Sequence, residues 1–511
     1  MKKQTLLRIG VAVAAIAFFT YNHFKQNPES GHVQLATPIA ANATSFQLGT
    51  LEFHACQLPQ KHSGATTNAF CAPFSVAENP DDPGGRKLAL RLALIKSEAV
   101  AADSDIVVYL AGGPGQSAVD TYPQMAGALS PLRKHHHILL LDQRGTGKSH
   151  SLTCKSDDDD SSADRVDLDK LRAHVSACLT QVQKSADPRF YTTTNATHDL
   201  EAVRLALGAP QFDLVGVSYG TRMAQQYAMH YPKSVRSIVL DSVAPNELVL
   251  GEDFAANLDD ALKAQFDDCK KTPACAKAFG DPYASLIKLR DQLRAQPLNY
   301  TFPDPVTFET RHKHLNSYTL AGLVRMFAYS PETAALLPLS IAQGLKGDFT
   351  PLAGQVQILS GDLADLQENG MQMSVICSED ADLLKPRPQD ADTILGTTMI
   401  DALKTECEIW PHGTRPKDFH EPFATATPVL ILEGELDPVT PPRYGKQVLK
   451  RLSNARLLVA KGQGHNVIGR GCIPKLVGKF VDELKPKTLD AKCVDALGPM
   501  PAFIDFNGSS P

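Results

Sequence analysis

The stretch Phe212-Asp-Leu-Val-Gly-Val-Ser-Tyr-Gly220 decides how the chain is read. Leu214 to Val217 is a short apolar strand that runs into Gly216-Val-Ser-Tyr-Gly220, and a helix-compatible segment, Thr221 to His230, stops before Pro232. A G-x-S-x-G sequence between strand and helix puts Ser218 on a tight, strained turn with its hydroxyl projecting for attack. Side chains at Gly216 or Gly220 would crowd the neighbouring backbone. The motif alone is weak; the strand before it and the helix after it carry the reading of Ser218 as a nucleophile.

Working outward, Phe46 to Leu58 and Lys87 to Ile95 are strand-like, separated by the turn cluster Asn79-Pro-Asp-Asp-Pro-Gly-Gly85, and suggest an antiparallel lead-in. Apolar strands follow at Ile106 to Leu110, Ile138 to Leu141, Leu214 to Val217 and Val235 to Leu240, with helical segments such as Thr197 to Leu207 between several of them. Strands apolar on both faces and alternating with helices indicate a mostly parallel α/β sheet. From about Glu247 to Gln372 the pattern turns mainly helical, as in Leu258 to Phe266 and Tyr283 to Leu293, without comparable strand runs. This reads as a cap inserted after Asp241. The sheet resumes at Val429 to Leu432 and Leu457 to Val459, and a helix over Pro474 to Leu484 closes it.

The 511 residues are 43% hydrophobic and 21% charged, a globular composition with ample material for a large core. A net charge of −5 and a pI near 6.3 give no sign of nucleic-acid binding. Lys2, Lys3 and Arg8 precede an apolar run from Ile9 to Phe19, which is short for a membrane span and fits an export signal. No small-x-small cleavage site follows promptly, so an uncleaved N-terminal anchor stays open beside a cleaved signal. The ten cysteines fall in close sequential pairs. Cys56 with Cys71, Cys154 with Cys178, Cys269 with Cys275, Cys377 with Cys407 and Cys472 with Cys493 are the expected disulfides of an exported chain.

A serine hydroxyl needs a base, and the base needs an orienting acid. In the α/β-hydrolase order, acid and histidine follow the serine. Val429-Leu-Ile-Leu-Glu-Gly-Glu-Leu-Asp437 places Asp437 after one strand, and Leu457-Leu-Val-Ala-Lys-Gly-Gln-Gly-His465 places His465 after the next. Glu433 and Glu435 compete for the role of acid and read as structural or solvated; Asp241, at the end of another strand, is a weaker competitor. The oxyanion needs two backbone donors: the Tyr219 N–H after the nucleophile and Gly113 in Ala111-Gly-Gly-Pro-Gly115. Three other features are set aside. Gly147-Lys-Ser149 lacks the upstream glycine of a phosphate loop, since Asp142 stands there. His135 to His137 lack metal-ligand spacing. Asp157 to Asp160 read as a solvated loop without the spaced ligands of a calcium site.

Taken together, Gly112-Gly-Pro-Gly115, Asp142-Gln-Arg-Gly-Thr-Gly147 and Gly216-Val-Ser-Tyr-Gly-Thr221 resemble the motifs of prolyl and tripeptidyl aminopeptidases, α/β-hydrolase serine peptidases. The resemblance extends through Thr193-Thr-Asn195, Asp199-Leu200, Leu240-Asp-Ser-Val-Ala-Pro245, the pair Cys269 and Cys275, Cys377-Ser-Glu-Asp380, Cys407-Glu-Ile-Trp-Pro411 and Gly434-Glu-Leu-Asp-Pro-Val-Thr-Pro441. Ala111 departs from it, since many prolyl members carry histidine before the glycines. The resemblance implies that carboxylates near the cap recognise the free α-amino group of the peptide. Glu379 and Asp380, where the cap returns to the sheet, are the expected anchors.

The expectation is therefore an exported serine aminopeptidase of prolyl or tripeptidyl type, periplasmic or secreted, with a peptide as substrate and no cofactor or metal. An esterase or lipase-like hydrolase with the same triad is the alternative; a catalytically silent binding module is a further one. The expected organisation is a signal or anchor over 1–26, a linker over 27–45, a first core segment over 46–246, a helical cap over 247–372, and a second core segment with its tail over 373–511. Oligomeric state and the number of residues removed are not legible.

Overall fold

The computed structural model describes residues 43–60, 64–99, 105–153, 167–303, 308–363 and 368–509. The expected signal, the linker as far as residue 42, and Asp157 to Asp160 lie outside them. Among the described residues no helix is long and apolar enough to cross a membrane.

The lead-in is four strands: β1 (Ser45–Leu48), β2 (Leu51–Pro59), β3 (Thr66–Ala77) and β4 (Lys87–Ile95), each antiparallel to the next. The expected single strand from Phe46 to Leu58 is broken by the turn at Gly49 and Thr50, and β3 was not anticipated at all. Its sequence, with Pro73 and small residues at Ala69 and Ala72, lacks the clean alternation of a half-buried strand. Then come β5 (Ile106–Leu110), α1 (Ala118–Leu129), β6 (His137–Leu141), α2 (Leu168–Val182), α3 (Thr193–Leu207), β7 (Phe212–Val217), α4 (Tyr219–His230) and β8 (Val235–Asp241).

The cap segment carries α5 (Phe254–Lys271), α6 (Pro273–Phe279), α7 (Pro282–Ala295), the hairpin β9 (Leu298–Pro303) and β10 (Thr310–Leu315), then α8 (Ser317–Phe327), α9 (Pro331–Ala334), α10 (Leu337–Leu345) and α11 (Thr350–Leu363). The hairpin adds two short strands to a segment read as mainly helical. Its strands form a separate two-stranded sheet; β10 is largely polar and leaves no buried-strand signal, whereas β9 alternates Leu298, Tyr300 and Phe302 over only six residues. The chain returns through α12 (Asn369–Glu379) and α13 (Thr398–Cys407), then β11 (Val429–Gly434), α14 (Pro442–Leu449), β12 (Ala455–Ala460) and α15 (Ile473–Glu483).

The main sheet has the order β1-β2-β3-β4-β6-β5-β7-β8-β11-β12. From β6 to β12 every neighbour is parallel. Side chains of a strand alternate between faces, and β5 shows it. Ile106, Val108 and Leu110 join one apolar cluster; Val107 and Tyr109 join another on the opposite face. A third cluster, including Leu258, Leu289 and Val324, is the cap's own core. Helix α12 packs instead on the sheet's first cluster through Met371, Val375 and Ile376. Disulfides join Cys56 to Cys71, Cys269 to Cys275, Cys377 to Cys407 and Cys472 to Cys493. Cys178 is also disulfide-bonded, and its expected partner Cys154 lies outside the described residues.

Candidate active site

Ser218 sits between β7 and α4 at φ 55°, ψ −123°, a conformation L-residues rarely adopt. The flanking glycines are required by close approach. A Cβ on Gly216 would lie 2.5 Å from the Gly220 carbonyl oxygen, and one on Gly220 would lie 2.1 Å from that of Leu110. The Ser218 N–H is tied to the Asp241 carbonyl at 2.9 Å, which holds the turn against β8.

Parallel neighbours bring the other groups to the same sheet end. His465 Nε2 stands 3.0 Å from Ser218 Oγ, and its Nδ1 stands 2.7 Å from Asp437 Oδ2. Asp437 is 1% exposed and His465 7%, so water competes little for these bonds. Asp437 Oδ1 accepts from the Val439 and Thr440 amides, both at 2.8 Å, and Thr440 Oγ1 donates to Oδ2 at 3.0 Å. That hydroxyl also lies 3.3 Å from His465 Nδ1. Thr440 escaped the sequence reading, although its three-residue offset from Asp437 is the spacing at which a carboxylate meets local backbone donors.

The competing acids have other work. Asp241 accepts from the Val467 and Ile468 amides, each at 2.9 Å, and so anchors the loop that carries His465; burial raises its pKa to about 6. Glu435 accepts from the Gly462 amide at 2.8 Å. Glu433 is fully buried, and burial holds its pKa well above the usual carboxylate range.

The loop after β5 passes beside the serine: a Cβ on Gly112 would lie 3.2 Å from Ser218 Cβ. Its path continues into α1, where Ser117 caps the helix and donates to Asp142 Oδ1 at 2.5 Å. Asp142 also accepts from the Val119 and Lys148 amides, so the Asp142-Gln-Arg stretch ties this loop to β6. Arg144 pairs with Asp199 through two bonds of 2.7 Å. Tyr219 opens α4, where first-turn amides have no intrahelical acceptor and the helix end is electropositive.

Glu379 and Asp380 end α12 and are both buried, but they differ in pairing. Asp380 is bonded to Arg222 at 2.9 Å, both side chains fully buried. Glu379 accepts from the Thr193 amide at 2.6 Å and from Thr193 Oγ1 at 2.9 Å. Burial raises its pKa to about 8 despite the nearby Arg222 charge. Thr193 Oγ1 in turn lies 2.6 Å from the Tyr219 hydroxyl, to which Gln143 Nε2 donates at 3.2 Å. Glu379 thus connects, through the Thr193 hydroxyl, to the residue that follows Ser218.

His136, set aside with its neighbours in the sequence, meets Asp105 and Asp213 at the opposite sheet end, with ligand-capable atoms within 4.8 Å of one another. The two carboxylates are already bridged by Arg236, at 2.9 Å to each. The group therefore reads as an ion-pair brace and not as a metal site.

A family model described as alpha/beta hydrolase fold matches residues 105–299, and one described as TAP-like protein matches residues 392–493. The chain has the α/β-hydrolase fold. This α/β-hydrolase is 26% identical to the serine protease Hip1 of Mycobacterium tuberculosis, over 96% of its own chain and 98% of that protein. It is 24% identical to a tripeptidyl aminopeptidase of Streptomyces lividans, over 84% of each chain. It is 25% identical to a protein of Mycobacterium tuberculosis named carboxylesterase B, over 82% and 85%.

Proposed function

We propose that the protein is an exported serine aminopeptidase that releases short N-terminal units from peptides through an acyl-enzyme. The observation that carries the reading is the continuous hydrogen-bond chain Ser218–His465–Asp437 at the carboxyl ends of β7, β12 and β11. His465 Nε2 takes the hydroxyl proton as Ser218 Oγ attacks the peptide carbonyl. Asp437 holds the imidazole in the tautomer with its proton on Nδ1 and balances the imidazolium. The Gly113 and Tyr219 amides receive the oxyanion. His465 then protonates the leaving amine, the C–N bond breaks, and water, deprotonated by the same imidazole, releases the acyl group. Four disulfides among the described residues support the assignment to an oxidising compartment.

Glu379 is the proposed anchor for the substrate ammonium. Asp380 already has Arg222 as its partner, whereas among the described residues the hydrogen-bond donors to the Glu379 carboxylate are those of Thr193. At 1% exposure it is closed over in this conformation, so the Thr193–Tyr219 layer must part to admit the amine. A bound ammonium would supply the counter-charge that burial withholds. The test is Glu379→Gln, assayed on a tripeptidyl amide with a free and with an acetylated N-terminus. The expected result is a roughly ten- to hundredfold fall in kcat/KM for the free amine and little change for the acetylated form. An equal fall for both would remove Glu379 from amine recognition. Wild-type preference for simple esters over both amides would favour the esterase alternative.

A further inference from the structure

The cap touches the catalytic histidine at one corner. Helix α8 ends at Phe327, α9 begins at Pro331, and Tyr329 lies between them. The His465 amide donates to the Tyr329 carbonyl at 2.8 Å. The Tyr329 ring meets the imidazole with centroids 5.0 Å apart and planes inclined by 70°. Gly464 leaves room for this approach, since a Cβ there would lie 2.3 Å from the Tyr329 oxygen. The corner is itself held. Thr333 Oγ1 donates to the Phe327 carbonyl at 2.7 Å, Arg470 pairs with Glu332 at 2.5 Å, and the Ala335 carbonyl accepts from the Phe503 amide at 2.9 Å.

We infer that Tyr329 is a positioning residue for His465, supplied by the cap: its carbonyl sets the height of the histidine loop, and its ring limits the swing of the imidazole. Near-perpendicular rings set the negative face of one against the positive edge of the other. The inference rests on the proposed role of His465 as base.

The backbone bond survives substitution, so the ring is what can be tested. Tyr329→Ala and Tyr329→Phe are assayed in the full chain on a tripeptidyl amide, with competent enzyme counted by fluorophosphonate titration so that misfolded molecules do not enter kcat. Tyr329→Ala should lower kcat about tenfold with KM within about twofold. Tyr329→Phe should retain wild-type values for both. A wild-type kcat in Tyr329→Ala would overturn the inference, as would a Phe variant that fails alongside Ala. His465→Ala is run in parallel: near-normal turnover there would sink the role of the base itself, a failure distinct from that of Tyr329.

Discussion

Two buried charge clusters stand at opposite ends of the same parallel strands, built from the same residue types. At the amino ends of β5 to β8, Asp105, Asp213 and His136 surround Arg236, and His136 Nε2 is 3.0 Å from Asp482 on α15. At the carboxyl ends, Asp437 holds His465, which faces the Ser218 hydroxyl. The difference is the guanidinium. Arg236 is a permanent cation, and it fixes the charge of the first cluster. Among the described residues the ion-pair partner of Asp437 is His465 alone, so charge there can come and go with one proton. Aspartate and histidine make a brace when an arginine locks them, and a candidate reaction centre when the imidazole alone answers the carboxylate.

The comparison can be broken at either end. The largest effect is expected from Ser218→Ala, which should lower kcat by on the order of 10⁴–10⁶ while leaving the melting temperature near wild type. Near-normal turnover of the purified variant would move the reaction centre elsewhere. Next is Arg236→Met, which strands two buried carboxylates. It should cost about 3–5 kcal/mol in denaturant unfolding, with kcat per titrated site unchanged; a large loss of kcat without loss of stability would mean that the two ends are not separate in function.

The smallest effect is a pH slope. Burial pulls the His136 pKa down, but the Asp482 hydrogen bond and the Asp213 charge outweigh it together against the opposing Arg236, and the net position is above the usual histidine range. A raised folded-state pKa contributes stability that is full below the unfolded value, about 6.5, and is lost as pH rises through the folded one. Melting temperature should therefore slope downward across that window, and the slope should flatten in His136→Asn. An identical slope in the variant would show that Asp105, Asp213, Arg236 and Asp482 need no charge on His136.

Much of the carboxyl-end cluster was legible. Ser218, Asp437 and His465 each follow a short apolar strand, and such strands announce themselves by burial on both faces. The glycines of the serine turn were legible for the same local reason: the nearest obstacles, Gly220 O and Leu110 O, are backbone atoms at a strand–helix junction. What escaped depends on distant packing. Tyr329 reaches His465 from the cap, with no motif around it. Asp380 looked available in sequence because Arg222, its partner, lies on α4. Strand β3 was hidden because proline and small residues interrupt it, β10 because it is largely polar, and β9 because its alternation of Leu298, Tyr300 and Phe302 is short and set among helices.

Asp241 on β8 is the register partner of Leu432 on β11, yet the entire cap lies between them in the chain. Closing a loop costs entropy that grows with the logarithm of its length, about 0.6 kcal/mol per doubling. The gap to be bridged is one strand spacing, roughly 4.8 Å, whatever the insertion contains. A descendant of this protein could therefore enlarge, trim or refold its cap and keep the alignment of Ser218 with Asp437 and His465. Substrate preference can drift through such changes while the chemistry is inherited intact, provided that each new cap still offers a carbonyl where Tyr329 now stands.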